Sequence, residues 1–365
     1  MRWTKAIAMA AIALFLLGKC IAPARATEPL ASRGSALAAS DHADVLGLAF
    51  VGRQVSDLEK SMAYYETLGF EKASVSGWAM EPLENRLYGT PGAESRAAIL
   101  TMASSASGKP MRLILREYRG IPRKNLRLPI YDVGVGHIGV AAESPRAFWE
   151  KVKAAGQLRP ATRSGDLAAT SGADGGFGTM TDPDGMIVEV RKPRPAAPAM
   201  GDVPAMPGDR PGFSHFGLVV ADMSKSFAFY DGLSGAFPSL PEFRTGRGPG
   251  DMWNLPGDDN PIRVVYGTLL EANAPPGTRF YLELVSFKSL GQDAPGLRDA
   301  RISDIGVNYI GLQVSGLESV YSKLKAAGCK ALSDGIVRLK DGTRAVVIRD
   351  PNSGLFLELA ESPRS

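Results

Sequence analysis

One short strand-and-cap pattern recurs four times along this chain of 365 residues. Its versions begin at Phe50, His137, His215 and Tyr309, and a helix-capping or turn residue stands seven positions after each start. β-Branched or small residues fill most of the positions between. Internal repetition of this kind constrains a fold more strongly than any single propensity. The chain is therefore predicted to contain four copies of one structural unit.

Helix ends and turns repeat as well. The segment Lys151–Gly156 (KVKAAG) recurs almost unchanged as Lys323–Gly328 (KLKAAG), and the Asp-Pro turn at Asp182 recurs at Asp350. Each copy has the pattern of a strand, a helix and then short strands separated by Gly/Pro turns. The predicted fold class is α+β, with four βαβββ units that form a duplicated pair.

A proline-rich stretch separates the two pairs of units. Residues 193–211 contain six prolines among Ala, Gly and Asp, which is typical of a semi-extended linker. We therefore predict an N-terminal domain over residues 46–192 and a C-terminal domain over residues 212–362.

The first 26 residues have the three parts of a secretory signal. These are a basic start, an apolar run from Ala6 to Leu17, and a small-x-small site that ends at Ala26. Cleavage after Ala26 predicts a periplasmic or secreted protein that begins with a tether over residues 27–45. The apolar run is too short to cross a bilayer comfortably and no second run follows it, so no membrane span is predicted.

The signal segment also accounts for the basic charge of the chain. The formal net charge is +4, and the segment holds four basic residues and no acid, so the remainder is formally neutral. A neutral mature chain argues against nucleic acid or an anionic membrane as a partner. Cleavage also removes Cys20, so the mature chain has no internal disulfide, and Cys329 is expected to be a packed, inert thiol.

Several motifs resemble those of the vicinal oxygen chelate superfamily, the group of glyoxalase I, extradiol dioxygenases and bleomycin-resistance proteins. They are the HFGLVVAD and HIGVAAES strands, the helix end Phe229–Leu233, and the Asp-Pro turns that lead to Glu189 and Glu358. The resemblance extends from about Leu46 to Ala360. It implies two tandem glyoxalase-like domains with open half-barrel clefts. It also implies a divalent metal, held by the first residue of each first strand and by a glutamate in each last strand.

Carried over by position, the resemblance places four candidate ligand positions in each domain. One of them, Ile114, is identified by aligning residues 108–114 with residues 277–283. The N-terminal positions are Phe50, Ile114, His137 and Glu189, and the C-terminal positions are His215, Glu283, Tyr309 and Glu358.

Ligand chemistry favours the C-terminal domain as the metal site. Imidazole and carboxylate groups bind Zn, Mn, Fe or Ni, and about three of them with one open position make a usable site. His215, Glu283 and Glu358 supply three, and each glutamate is a lone carboxylate in an apolar strand, where burial is costly unless a cation faces it. Because Phe and Ile side chains cannot coordinate a metal, His137 and Glu189 are left as a weaker second site, and the N-terminal cleft is predicted to be metal-free.

Three aromatic residues bear on the substrate. Tyr309 stands where an extradiol dioxygenase would have its second histidine, so the two-histidine, one-carboxylate iron site is predicted to be incomplete. Tyr309 as a ligand, as a proton donor or as part of the cleft wall all stay open. Trp253 and Trp78 lie in matching second-strand regions, where they line either the substrate cleft or the core.

The predicted function is that of an exported, divalent-metal-dependent lyase or isomerase that acts on a small oxygenated substrate. Glu283 or Glu358 would move a proton, with Tyr309 as a candidate acid. Export argues against glutathione as the substrate carrier. The alternatives are a metal-free protein that sequesters a small molecule and, less favoured, an extradiol-type dioxygenase. Whether the chain acts alone or as a homodimer is left open.

Overall fold

The computed structural model describes residues 44–103, 110–168, 176–193, 210–234, 247–257, 262–269, 280–291 and 296–363. The predicted signal segment, all but the last two residues of the tether, and linker residues 194–209 lie outside these ranges.

The first unit contains a strand, a capped helix and three further strands. Asp57 Oδ1 accepts a hydrogen bond from the backbone N–H of Lys60 at 2.9 Å, which starts helix α1, and Gly69 with φ +103° follows its end. A second short helix, α2, was not predicted from the sequence. The elements are β1 (Val45–Gln54), α1 (Leu58–Thr67), β2 (Glu71–Val75), α2 (Pro82–Tyr88), β3 (Glu94–Ala103) and β4 (Pro110–Arg119).

The second unit follows the same order with one strand reduced. Ser144 Oγ accepts a hydrogen bond from Ala147 N at 3.2 Å, and Pro145 occupies the first helical turn, as predicted. The strand expected after the helix is present only as isolated bridges at Pro160 and Ala168. The elements are β5 (Gly136–Ala141), α3 (Pro145–Ala154), β6 (Phe177–Thr181) and β7 (Ile187–Arg191).

The third and fourth units repeat the order again. The third consists of β8 (Gly212–Val219), α4 (Met223–Ser234), α5 (Arg247–Met252), β9 (Ile262–Leu269) and β10 (Phe280–Phe287). The fourth consists of β11 (Asn308–Val314), α6 (Leu317–Ala326), β12 (Lys330–Ala331), β13 (Val337–Arg338), β14 (Arg344–Arg349) and β15 (Phe356–Glu361). The predicted α+β class with glyoxalase-like units is confirmed.

Two sheets are formed, and each takes one unit from either half of the chain. The first sheet has the order β12-β14-β15-β11-β1-β4-β3-β2, with β13 paired to β14. The second sheet has the order β6-β7-β5-β8-β10-β9. The first unit is therefore paired with the fourth, and the second with the third. This corrects the assumption that units adjacent in sequence share a cleft.

Units within one half contact each other through helices and turns instead. The Tyr65 hydroxyl of α1 donates to Asp182 Oδ2 at 2.9 Å, and the Tyr230 hydroxyl of α4 donates to Asp350 Oδ2 at 3.0 Å. Arg53 adds a buried bidentate pair to Asp182, with Nε at 2.8 Å and Nη2 at 3.0 Å. The division of the chain into two domains at residues 193–211 stays a prediction. Each cleft is formed by one unit that precedes these residues and one that follows them.

All four units contribute to the largest hydrophobic core. Each first strand buries at least one aliphatic side chain there, such as Val51, Ile138, Leu218 and Ile310. Cys329 is buried in the same core, and burial raises the pKa of its thiol to about 12. This placement agrees with the expected inert thiol.

Candidate metal centre

Two histidines from opposite halves of the chain meet at the middle of the second sheet. Strands β5 and β8 are antiparallel, with His137 opposite Gly217 and Gly139 opposite His215. A Cβ atom on either glycine would overlap the facing imidazole ring. The glycines therefore give each ring the space to lie over the neighbouring strand.

Two glutamates flank these histidines. Strand β7 is parallel to β5 and places Glu189 beside Gly139, while β10 is parallel to β8 and places Glu283 beside Gly217. The two halves of the centre are thus related by the same register. Strand pairing alone delivers two imidazoles and two carboxylates to one place.

The four side chains form a tight, buried cluster. Glu283 Oε2 lies 2.7 Å from His137 Nε2 and 3.2 Å from His215 Nε2. Glu189 Oε2 lies 3.7 Å and 3.6 Å from the same two nitrogens. One ligand atom from each residue falls within 4.8 Å of all the others, and none of the four residues is more than 2% exposed.

Electrostatics favour ionised carboxylates in this cluster. Burial opposes ionisation of Glu283, yet the imidazoles of His215 and His137 hold the pKa of its carboxyl well below the usual value. Burial also opposes ionisation of Glu189, and His215 lowers its pKa. In turn, burial favours neutral His215, but Glu189 and Glu283 raise its pKa. The carboxylates and the imidazole of His215 therefore stabilise each other's charged forms.

The cluster fits a divalent cation. Its donors are imidazole nitrogen and carboxylate oxygen, which suit Zn, Mn, Fe or Ni. Glu189 Oε1 and His137 Nδ1 are buried without a hydrogen-bond partner. Arg191 Nη1 lies 3.5 Å from Glu189 Oε1 and offsets part of the negative charge, but two adjacent buried carboxylates remain costly without a further cation. Among the described residues, this is the group of His, Cys, Asp and Glu side chains that could hold a metal ion. The identity of the ion does not follow from these donors.

The predicted ligand set is only partly brought together. His215 and Glu283 lie in the cluster, while Glu358 and Tyr309 lie in the first sheet, on β15 and β11. His137 and Glu189, expected to form a weaker second site, supply the other half of the same cluster. The set His215, Glu283 and Glu358 is therefore corrected to His137, Glu189, His215 and Glu283.

The physical reason for this error is a shared steric pattern. Each of the four first strands has a glycine two residues after its ring, so any two of these strands could face each other without a clash. The first sheet shows the same arrangement, with Phe50 opposite Gly311 and Gly52 opposite Tyr309. One signal was available in the sequence: pairing the two histidine strands fills all four ligand positions with histidine or glutamate, whereas sequential pairing gives sets of two and three such residues.

The first sheet carries the counterpart positions without a metal-binding set. Ile114 lies beside Gly52, just as Glu283 lies beside Gly217, which confirms the alignment of these two segments. Phe50 and Tyr309 pack edge to face with ring centroids 5.6 Å apart. Glu358 Oε2 accepts a hydrogen bond of 2.6 Å from the Tyr88 hydroxyl, and burial raises the pKa of the Glu358 carboxyl. Aromatic rings and the Glu358 carboxyl fill this centre, and burial favours the neutral form of that carboxyl.

The two tryptophans lie in different surroundings. Trp253 follows α5, and its ring centroid is 6.3 Å from that of His137, with Phe287 at 5.6 Å on its other side. Its indole Nε1 is buried without a hydrogen-bond partner. Trp78 instead stacks between the guanidinium groups of Arg96 and Arg119, at 4.8 and 4.4 Å. Trp253 is therefore beside the metal cluster, whereas Trp78 is held between two arginines on the first sheet.

Comparisons with known proteins agree with this architecture. Residues 47–190 match the family model described as the Glyoxalase/Bleomycin resistance protein/Dioxygenase superfamily. Glyoxalase I from Zea mays is similar in structure, with 16% identity, a TM-score of 0.52, and coverage of 86% of this chain and 92% of that chain. A point mutant of that protein gives 17% identity, a TM-score of 0.53 and coverage of 86% and 92%. At these identities the likeness shows the fold alone.

No curated protein sequence matches the chain significantly. Within the part of the chain that the structure describes, no helix combines the length and apolar character needed to cross a bilayer.

Proposed function

Because the chain contains, over residues 47–190, a domain of the glyoxalase, bleomycin-resistance protein and dioxygenase superfamily, we propose that it is a divalent-metal-dependent lyase or isomerase of the glyoxalase-like type. The observation that carries this proposal is the convergence of His137, Glu189, His215 and Glu283 within 4.8 Å. The substrate is a small molecule with two neighbouring oxygen atoms.

The four residues of the cluster would hold the cation. A bound divalent ion supplies Lewis acidity, which stabilises negative charge that develops on substrate oxygens. If the bound ion were one that takes six ligands, the four protein donors would leave two positions for oxygen atoms of a substrate. A substrate with two adjacent oxygens matches that requirement.

Glu189 is the residue best placed to move a proton. Its Oε2 is 3.7 and 3.6 Å from the two histidine nitrogens, whereas Glu283 Oε2 is nearer, at 2.7 and 3.2 Å. Glu189 Oε1 makes no hydrogen bond, although Arg191 Nη1 forms an ion pair with it at 3.5 Å. We propose that this oxygen is the general base that removes a proton from a carbon next to the substrate oxygens. The electron pair left on that carbon is delocalised onto those oxygens. Return of the proton at the neighbouring atom gives isomerisation, and departure of a leaving group gives elimination.

Apolar side chains beside the cluster would keep water out and contact the substrate. Trp253 and Phe287 pack against each other next to His137, and Ile187 and Val285 belong to the same apolar cluster. Water exclusion strengthens the electrostatic interactions on which the proton transfer depends.

The two histidines of the cluster bear on the dioxygenase alternative. The sequence suggested that no cleft has two histidines, but His137 and His215 are in one cluster. The cluster still differs from a two-histidine, one-carboxylate iron site in its second carboxylate. That carboxylate takes up a coordination position that a dioxygenase keeps open for oxygen and substrate. We therefore retain the lyase or isomerase as the proposal and use oxygen dependence as a test.

Deuterium exchange tests the proposed proton transfer and does not require that the product be identified. Small hydroxyketones and 2-oxoaldehyde adducts are incubated in D2O with the metal-reconstituted protein, and exchange at the carbon next to oxygen is followed by NMR. The proposal predicts exchange that requires metal, proceeds without oxygen, and is lost in Glu189→Gln but kept in Glu358→Gln. Exchange that is equal in both variants, or turnover only in the presence of oxygen, would contradict it.

Export remains a proposal that rests on the first 26 residues. N-terminal sequencing of the protein from a secreting bacterial host should give a start at Thr27. A mature chain that still begins at Met1 would overturn it. The homodimer is likewise a prediction, which light scattering of the mature chain would test.

A further inference from the structure

The first sheet encloses a second cleft whose chemistry differs from that of the metal centre. This cleft has a volume of about 580 Å³. Ile99 and Ile114 are paired neighbours on β3 and β4 and form its floor, while Leu83 and Leu339 lie on its walls. Its floor includes Ile114, the counterpart of the metal-cluster residue Glu283. The second cleft thus lies at the position that corresponds to the metal centre.

Aromatic rings fill the part of this cleft that is equivalent to the metal-binding position of the second sheet. Tyr309 packs against Phe50 at 5.6 Å and against Tyr88 at 6.0 Å between ring centroids. Tyr88 also donates its hydroxyl proton to Glu358, the one counterpart position with a carboxylate. The cavity that remains is therefore suited to binding without a metal.

Charged groups around the second cleft are already paired with one another. Arg116 Nη1 is 2.6 Å from Glu84 Oε2, and Lys340 forms an ion pair with Glu81. The remaining acid, Asp341, is exposed and accepts a hydrogen bond from the backbone N–H of Thr343 at 2.9 Å. A charged ligand would have to displace one of these pairs or rely on a solvated acid. An uncharged ligand would displace neither.

Hydrogen bonds to a ligand would come from exposed groups of the lining rather than from its buried arginine. Arg116 is only 8% exposed and lines the cavity, and its Nε–H has no hydrogen-bond partner. Its guanidinium is held over the Tyr88 ring at 4.9 Å and is paired to Glu84, so its position is fixed. The Nε–H itself is enclosed by the protein, so hydrogen bonds to a ligand would come from Ser74 and Ser76, which are exposed residues of the lining.

We propose that the second cleft is a metal-independent binding site for an uncharged, largely apolar small molecule that has a hydrogen-bond acceptor. Its volume lies within the range of about 300–1,000 Å³ that is typical of small-molecule sites. Its floor is apolar, and serines and paired charges surround that floor. The proposal does not depend on the reaction assigned to the metal centre.

Nile red, an uncharged apolar dye with a carbonyl group, is the probe for this site. Fluorescence titration of the full mature chain should give one site that persists in EDTA. Ile114→Trp, which fills the floor, should weaken binding by about tenfold or more, since the lost contacts exceed one buried side chain. Met80→Trp, at a residue 55% exposed and outside the lining, should bind as the wild type does.

Further variants separate the second cleft from the metal centre and from misfolding. Glu283→Gln should lose metal but bind Nile red unchanged, and Ile114→Trp should keep its metal, which shows that it is folded. Ala97→Leu, a smaller filling of the same cavity, should weaken dye binding in the same direction. The anionic dye ANS should bind at least about tenfold more weakly than Nile red, because it would have to displace a paired charge. Dye binding abolished by EDTA or by Glu283→Gln, or unaffected by both cavity-filling variants, would overturn the proposal.

Discussion

His137 lies directly opposite Gly217 across β5 and β8, and its imidazole occupies the space that a side chain on that glycine would fill. His215 has the same relationship to Gly139. The two glycines therefore determine where the imidazoles lie, although neither glycine can bind a metal.

Gly217→Ala should consequently weaken metal binding. The new methyl group overlaps the His137 ring, so the ring has to move away from Glu283. A displaced ligand costs metal affinity, and we expect a loss of about tenfold to a hundredfold, the range found when groups that orient ligands are removed. Competition with a chromophoric chelator measures it. Gly77→Ala is the control, because a Cβ at Gly77 meets no atom within 4 Å. Equal affinity in the two variants would show that the glycine has no role in ligand placement.

The repeat and the ligand types followed from the sequence, but the pairing of strands did not. Ile114 and Glu283 occupy equivalent register positions, and in the sequence each stands six residues after a glycine, Gly108 or Gly277. Pairing depends on which strands meet across a distance of many residues, and all four first strands are sterically interchangeable. Helix α2 was also missed, since Pro82–Tyr88 is short and has only one turn of apolar spacing. Its last residue, Tyr88, donates a hydrogen bond to Glu358, which strand pairing has already placed in the other sheet.

Arg53→Met should destabilise the fold strongly. Arg53 is 1% exposed, pairs with Asp182, and donates through Nη1 to Gly306 O at 2.8 Å and to Asn308 Oδ1 at 2.9 Å. Loss of one partner of a buried pair leaves the other charge uncompensated, which typically costs about 3–5 kcal/mol. Urea unfolding of the variant gives the difference in the free energy of unfolding. Arg112→Met serves as the control, because Arg112 is exposed on β4. A loss no larger than that of the control would contradict the assigned role.

Glu358→Gln should flatten the dependence of stability on pH. Burial raises the folded-state pKa of Glu358 above its ordinary value of 4.5. A raised carboxyl pKa gives a stability contribution that is complete below the unfolded pKa and is lost as pH rises through the folded pKa. Glutamine does not titrate, so the variant should gain stability relative to wild type as the pH rises from about 4 to 8.

Denaturant unfolding at several pH values measures this difference. Glu66→Gln, at an exposed position of α1, is the control and should follow the wild-type curve. If Glu358→Gln instead lost stability relative to wild type as the pH rose, Glu358 would be a stabilised carboxylate in the folded protein. Its assignment as a group held towards its neutral form would then be wrong.

The central claim is that one metal centre is built from both halves of the chain, and the number of divalent ions bound per chain tests it most directly. After reconstitution and removal of free metal, elemental analysis should give about one ion per chain for the wild type and for Glu358→Gln. His137→Ala and Glu189→Gln should retain well under half of that amount. The opposite result, with metal kept by Glu189→Gln and lost by Glu358→Gln, would contradict the account.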